Sequence, residues 1–586
     1  MSKWMLHTKK ADFAGLGAAL SVDQVVARIM VNRGLTSPEE MAEYLNPSLD
    51  RLPDPHLFAD MDLACEILAE AIDAQVLIRV IGDYDVDGIM STYILTEAIA
   101  ECGGLVDYAI PRRIEDGYGV NPDMVERAYE DGVELIITCD NGIAAREAVE
   151  RANELGISFV VTDHHEVPFD MVDGQKKYIL PPAAAVVDPK RVDCGYPFKG
   201  ICGAQVAWKL AYVLYEVMGL EPGRADRFME FASIACVCDV MELKGENRAL
   251  VYCGLKALEH TKNQGLHALL ARTELAGKKV SCYHLGFVVG PCLNASGRLD
   301  TASRAIELLK QEDEAKALAA AGELVELNNQ RKAMTQEGID KANEIIANEG
   351  MENDRVLIVY IPDLHESLAG IVAGRIKEQY YRPTIVITDS EDGAKGSGRS
   401  IPAYNMFEEL SAVKDIFTKF GGHPMAAGIS LDRDRVAELR QRLNDNCRLS
   451  QEDLTETIYI DVPMPLSYIT EELVEQLGRL EPFGNGNSKP LFALKGIPVL
   501  SATTMGRDNQ YMRLKLKMEN GGTMTGLLFR GKDQLEELIV GKYGQAAWEG
   551  LFSGNASGVT LDIIYQPGVN EFRDSKTLQI TIENFK

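Results

Sequence analysis

From Ala74 onward, short apolar runs rich in β-branched residues alternate with helix-like stretches. VLIRVI (76–81) leads through an aspartate-rich loop to GIMSTYILTEAIAECGG; VELIITCDNG leads to AAREAVERANELG; ISFVVTDHHE follows. This spacing points to a parallel α/β sheet with right-handed crossovers. Each strand runs into acid: Asp83, Asp85 and Asp87 after the first, Asp140 after the second, and Asp163 with His164 and His165 after the third. In open α/β sheets the ligand crevice lies at the carboxyl ends of the strands, so three acidic clusters are expected to converge there.

The first cluster, GDYDVDG, imitates the start of an EF-hand calcium loop. That loop needs a glutamate at its twelfth position and a helix leading in. Here the twelfth residue is Ile94, and a strand leads in. The aspartates therefore need partners from elsewhere. Asp239, in the apolar stretch FASIACVCDVMEL, is one, because a buried carboxylate without a counter-charge is costly. Many carboxylates with one or two imidazoles and no thiolate suit manganese or magnesium. Six or more ligands suggest two ions roughly 3.5–4 Å apart, with Asp140 as the natural bridge. His164 and His165 are the only adjacent pair among nine histidines. One imidazole can bind metal while its neighbour donates to phosphate or to a leaving group.

The remaining chain divides by pattern. Residues 1–70 read as an appended region of small helices, with SPEEMAEYL opening on a serine cap and a proline in its first turn. The first α/β unit is placed at 71–300. A proline-free stretch over 303–349, rich in Ala, Leu, Glu and Lys, predicts a long connecting helix within 301–350. A second α/β unit at 351–450 has DRVLIVYIP and TIVITDS as strands, LAGIVAGRIKEQY as a helix, and glycine-rich GAKGSGRS and FGGHPMAAG as interruptions. Short alternating strands over 455–586 predict a small β-barrel.

In YMRLKLKM, alternation puts Tyr511, Arg513, Lys515 and Lys517 on one face, and between Arg507 and Lys532 six basic residues stand against two acidic ones. A basic face bearing an aromatic suits a groove that tracks single-stranded nucleic acid. This matters because the whole chain of 586 residues carries a formal charge of −28, so any polyanion site must be local, and steep salt sensitivity or help from a partner is expected. Eleven cysteines without a CxxC exclude a zinc ribbon and a thioredoxin-like site. With no apolar leader and no uncharged apolar run of membrane length, the chain is expected to be cytoplasmic, with no membrane partner.

DYDVDG, CDNG, TDHH and CDVMEL resemble the four successive motifs of the DHH phosphoesterase superfamily. PRRIEDGYGVN, GPCLNASGRLD, GSGRSIP, FGGHPMAAG and EPFGNGNSKPLF extend the likeness over nearly the whole chain, toward the branch of bacterial exonucleases that degrade single-stranded DNA 5′ to 3′. Ser488 stands where that branch is expected to have proline. The resemblance implies a DHH domain, a DHHA1-like second domain and a C-terminal OB-fold. It implies metal ligation by Asp83, Asp85, Asp87, Asp140, His164 and Asp239, with Asp163 and His165 supporting, Asp140, Asp163 and His165 forming the catalytic group. Two manganese or magnesium ions are the implied cofactors. Ser397, Arg399 and Ser400 of GSGRS with His423 read as a phosphate clamp, and Arg113, Tyr118 and Arg298 as further substrate contacts.

The resulting expectation is a monomeric 5′ to 3′ single-strand exonuclease of DNA recombination and repair, releasing mononucleotides, with single-stranded DNA as substrate. Single-strand-binding protein and a helicase are partners on the resemblance alone. Two alternatives stand beside it: a DHH phosphodiesterase acting on oligonucleotides, cyclic dinucleotides or pyrophosphate, and a non-catalytic replication scaffold.

Overall fold

The structure is a computed structural model describing residues 2–113, 115–117, 119–391, 393–554, 558–572 and 575–586. It divides into two compact units, Ser48–Glu456 and a second made of Met1–Pro47 with Thr457–Lys586.

Within Ser48–Glu456, the first sheet has five parallel strands in the order Leu105–Ala109, Leu77–Ile81, Leu135–Cys139, Ser158–Thr162, Ala185–Val187. The chain runs outward from Leu77–Ile81 to one side and then returns to lay Leu135–Cys139 on the other, so the switch in strand order falls between these two strands. A crevice opens at the carboxyl ends on either side of such a switch. Alternate residues serve the two faces: Ile78, Val80, Leu135, Ile137 and Val160 pack toward the helices Val86–Glu101, Gly203–Val217 and Met229–Cys238, while Ile81, Ile136, Phe159 and Val161 pack toward Pro122–Glu130 and Arg146–Leu155. Burial on both faces explains the near-continuous apolar runs in the sequence.

The proline-free stretch forms two helices, Ser303–Leu309 and Glu314–Asn348, with Asp313 capping the longer one through the Lys316 amide. At 35 residues that helix is about 52 Å long. Its first half packs Ala317, Ala321 and Leu324 into the first core, and its second half packs Ala342 and Ile346 against Leu357, Val359 and Val372.

The second sheet runs Phe417–His423, Ala426–Leu431, Gly393–Arg399, Thr384–Ser390, Leu357–Tyr360. The glycine-rich GAKGSGR and FGGH stretches, read from sequence as interruptions, are strands. Gly396 and Gly398 sit over Ile385, Ile387, Ile429 and Met406, where a Cβ would come as close as 2.9 Å to Ile387 and Ile429.

In the other unit, the strands Phe492–Met505, Tyr511–Lys517, Thr523–Leu528, Ser575–Phe585 and Thr560–Phe572 pair in a ring that closes where Phe492–Met505 meets Thr560–Phe572, which makes a five-stranded barrel. The N-terminal helical region is not one appendage. Val26, Ile29, Met30, Met41 and Leu45 belong to the barrel's core, and Lys3–Leu6 pairs in parallel with Thr457–Ile460. The helix Met61–Asp73 instead buries Met61, Ala64, Cys65 and Leu68 in the first α/β core. Amphipathic helices show that they need a partner surface but not which one. Among the described residues no single helix is long and apolar enough to cross a membrane.

Candidate active site

The strand Leu77–Ile81 hands over to the helix Val86–Glu101 within four residues. Asp85 caps that helix, accepting hydrogen bonds from the amides of Asp87 at 3.0 Å and Gly88 at 3.1 Å. Gly88 is sterically required, since any Cβ there would lie 2.3 Å from the Asp83 carbonyl oxygen. Asp87, in the first helical turn, reaches the start of the helix Gly203–Val217, whose Gly203 and Ala204 amides donate to its two oxygens at 2.6 and 2.7 Å. Gly203 also lets that helix approach Asp140: its Cβ would stand 2.7 Å from the Asp140 Cβ. This helix N-terminus thus braces the Asp87 carboxylate, and its dipole favours that charge. Asp140 itself is held at φ +60°, an uncommon conformation for a residue with a side chain.

His164 aims Nε2 into this group, 3.0 Å from Asp140, 3.5 Å from Asp87 and 3.8 Å from Asp239, the residue that closes the helix Met229–Cys238. Three sets of ligand atoms each fall within 4.8 Å: Asp83, Asp85 and Asp140; Asp140, His164 and His165; Asp87, His164 and Asp239. Asp140 and His164 each belong to two sets, so the residues predicted to ligate form one connected group. Asp163 faces elsewhere. Its oxygens accept from the amides of Ile143, His164 and His165 and from His165 Nδ1 at 2.7 Å, which fixes the His165 ring rather than meeting a ligand.

Charge is unbalanced here. Burial, then the charge of Asp85, pushes Asp83 up to about 8; burial, then Asp87 and Asp85, does the same to Asp239. Asp140 and Asp85 are raised by the same causes. Burial lowers His164 toward the neutral imidazole that a metal requires. His165 goes the other way: burial opposes its charge, but the bond and charge of Asp163 raise it to about 9. Asp83 Oδ1 is buried without a hydrogen-bond partner. Oxygen-rich donors with an imidazole, mutually repelling and incompletely satisfied, fit hard divalent cations.

Sequence reasoning missed Asp188. It follows the fifth parallel strand, Ala185–Val187, is fully buried with Oδ2 unpartnered, and is pushed up to about 8 by burial and then by Asp163. AAAVVDPK repeats the apolar-run-then-aspartate pattern of the other strands and could have revealed it.

A cleft of about 590 Å³ adjoins the carboxylates, because Tyr84, between Asp83 and Asp85, lines it together with Arg113, Arg298, Ser397 and Arg399. Arg113 stacks 3.8 Å over the Tyr84 ring. Lys395, Ser397 and Arg399 alternate onto one face of their strand. Ser397 lies in a row with Gly428 and Gly421 across three strands; both glycines line the cleft with open space above them. The helix Ala369–Tyr380 adds its N-terminus through Ala369 and Gly370, a feature that favours anions. A side chain at Gly370 would collide with Arg399 and Ser397. Arg298 is lowered to about 10 by burial and then by Arg113, Arg331 and Arg399. Among the described residues, none of the three cleft arginines forms an ion pair.

Two predicted clamp residues lie elsewhere. Ser400 is buried and donates its hydroxyl to the Tyr404 carbonyl at 2.6 Å, which makes it a brace for the turn after the strand. His423 is exposed at a strand end and does not line the cleft. Tyr118 lies outside the described residues. In the barrel unit, Arg513, Lys515 and Lys517 are exposed while Met512, Leu514 and Leu516 are buried; Tyr511 packs edge-on against Phe529 at 5.4 Å.

Residues 77–236 match the model of the DHH family N-terminal domain, 353–449 that of the DHHA1 domain, and 460–584 that of the RecJ OB domain. The single-stranded-DNA-specific exonuclease RecJ of Escherichia coli is 31% identical over 583 residues, covering 96% of this chain and 95% of that protein. The chain belongs to the RecJ family. RecJ of Bacillus subtilis is 32% identical over 590 residues, 99% of this chain and 70% of that protein. The crystal structure of RecJ from Thermus thermophilus in complex with Mn2+ matches with a TM-score of 0.81 and 26% identity, over 100% of this chain and 79% of that one.

Proposed function

We propose that this protein is a metal-dependent exonuclease that hydrolyses single-stranded DNA from the 5′ end. The observation that carries the reading is the adjacency of two unbalanced clusters: Tyr84 lines the arginine cleft while Asp83 and Asp85 on either side of it enter the carboxylate group. Asp83, Asp85 and Asp140 would hold one divalent ion, and Asp87, His164 and Asp239 a second, with Asp140 between them. Such ions, manganese or magnesium, would polarise a phosphoryl oxygen and supply hydroxide at neutral pH.

The chain's own residues do the rest. The amides that open the helix Gly203–Val217 hold Asp87 in place against the repulsion of its neighbours. Asp163 orients His165 and keeps it protonated near neutrality, so that it can donate to a phosphate oxygen or the departing 3′ oxygen. Arg113, Arg298, Arg399 and Ser397 take the terminal phosphate, with planar guanidiniums matching its oxygens in bidentate fashion. Because the cleft and the acidic group adjoin, a captured 5′ end would leave the next phosphodiester near the metals, which gives both polarity and mononucleotide products. The exposed Arg513, Lys515 and Lys517 of the barrel unit would supply a second surface for single-stranded nucleic acid.

The test is a strand labelled at either end and digested with added manganese. Labelled mononucleotide should appear at once from the 5′ label, and a descending ladder from the 3′ label; the reverse order, or no hydrolysis, defeats the proposal.

A further inference from the structure

The loop from His165 to Asp188 contains a β-hairpin that the site described above does not use. Phe169–Val172 and Gln175–Tyr178 pair antiparallel, and among the described residues no other strand joins them. Asp173 and Gly174 form the turn with φ of +51° and +77°, the two positive values that a two-residue hairpin turn demands. The pairs Phe169–Tyr178 and Met171–Lys176 share one face. On it the two aromatic rings meet edge-on at 5.9 Å, and the Lys176 ammonium stands 4.2 Å over the Phe169 ring. The other face carries Asp170 opposite Lys177, whose charges cancel.

Phe169, Met171 and Tyr178 are 43%, 61% and 41% exposed. Two rings and a thioether held in water on a two-stranded ribbon do nothing for the fold, since such a ribbon alone is marginal and gains no core from them. Its base is nevertheless fixed. Val167 is buried beside Ile143 and Val186, and the Ile179 amide donates to the Pro168 carbonyl at 2.8 Å. From His165 to Pro168 is three residues, at most about 10 Å. The hairpin thus rises from the carboxyl-end rim of the sheet, between the strand that delivers Asp163, His164 and His165 and the strand that delivers Asp188.

We propose that this face is a stacking surface for bases of the substrate strand beyond the metal centre, an inference that rests on the nuclease reading. The occupant follows from chemistry and continuity. Flat rings take base planes without regard to sequence, and an ammonium beside them, on a face with no carboxylate, takes a phosphate. The hairpin also begins only four residues after His165, a member of the carboxylate group's ligand sets.

The test combines Phe169→Ala, Lys176→Ala and Tyr178→Ala in one full-length chain; as exposed positions they leave the melting temperature unchanged. The KM for a long 5′-phosphorylated oligonucleotide rises about tenfold or more, the size expected for losing one stacked base. Turnover at saturation stays the same, as does kcat/KM on a 5′-phosphorylated dinucleotide, which is too short to reach the hairpin. An unchanged KM on the long strand overturns the proposal, as it would for a hairpin that docks a protein. An equal loss on the dinucleotide also overturns it, because that would report a disturbed metal centre.

Cross-linking a 5-iodouracil strand to the wild-type protein in chelator needs no catalysis, so it decides the hairpin even if the wild type fails to hydrolyse DNA. Adducts on Phe169 or Tyr178 support the surface, and adducts found only elsewhere overturn it.

Discussion

Two neighbouring clusters in Ser48–Glu456 are unbalanced in opposite senses. The carboxylate group gathers Asp83, Asp85, Asp87, Asp140 and Asp239 around one neutral imidazole; the adjoining cleft gathers Arg113, Arg298 and Arg399 without a carboxylate partner among the described residues. Elsewhere in the unit the same residue types pair off, as Arg191 does with Asp60 and Asp193, or Arg79 with Asp107 and Asp131. The fold could have neutralised the two clusters by letting them touch, but instead holds them apart around Tyr84. On the proposed reading each is completed from outside, one by cations and the other by phosphate. On that reading the chain's net charge of −28 is a poor guide, because affinity for a polyanion would reside in a few guanidiniums and in the metals.

The comparison can be broken most severely at its acidic side. Asp140→Ala removes the residue shared by two ligand sets, and hydrolysis of a single strand with saturating manganese should fall by about 10³-fold or more, since metal activation contributes several kcal/mol. Strand binding, measured by fluorescence anisotropy, should persist because the arginine cleft is intact. Cleavage at an undiminished rate would refute the bridging role.

A second effect, smaller but specific, is the coupling of metal to pH. Asp83 and Asp239 titrate near 8 in the folded, metal-free chain and near 3.8 when unfolded, so the folded state holds protons that the unfolded state has lost. The metal-free protein should be most stable below about pH 4 with respect to these groups and lose that stability as pH rises toward 8. Manganese replaces the protons, so its stabilisation, read as the rise in melting temperature over a chelator control, should be larger at pH 8 than at pH 5. An equal rise at both values would mean that the carboxylates are not the ligands.

The smallest effect belongs to the barrel unit, where the cations are exposed on an alternating strand rather than gathered in a cleft. Lys515→Ala should lower the slope of log affinity against log salt by about 0.7, the value for one phosphate contact on a single strand, and leave turnover on short substrates unchanged. An unaltered slope would remove this face from the binding surface.

Much of this site is legible in the chain, for a physical reason: strand ends in a parallel sheet converge, so acidic residues after successive apolar runs share one place. Asp188 escaped only because its strand is three residues long. The arginine cleft was less legible. GSGRS suggests a loop with exposed amides, yet those amides belong to a sheet; Ser397 and Arg399 reach the cleft by strand alternation, which turns Ser400 inward to the Tyr404 carbonyl. The N-terminus of Ala369–Tyr380 could not be aimed from sequence, since a helix's dipole is local but its target is tertiary. Nor could the split of the N-terminal helices between two cores, because Met30 and Met61 advertise burial equally and name no partner. The hairpin did leave a signal, the Asp173–Gly174 pair between two short alternating runs.

The measurement closest to the central claim compares kcat/KM for otherwise identical single strands ending in 5′ phosphate and 5′ hydroxyl, in the wild type and in Arg399→Ala. If a terminal phosphate completes the guanidinium cleft, the wild type prefers the phosphorylated end by about tenfold or more, the size of a charge-assisted hydrogen bond, and the variant brings the ratio close to one. A wild type indifferent to the 5′ group, or a preference that survives the loss of Arg399, would contradict the account.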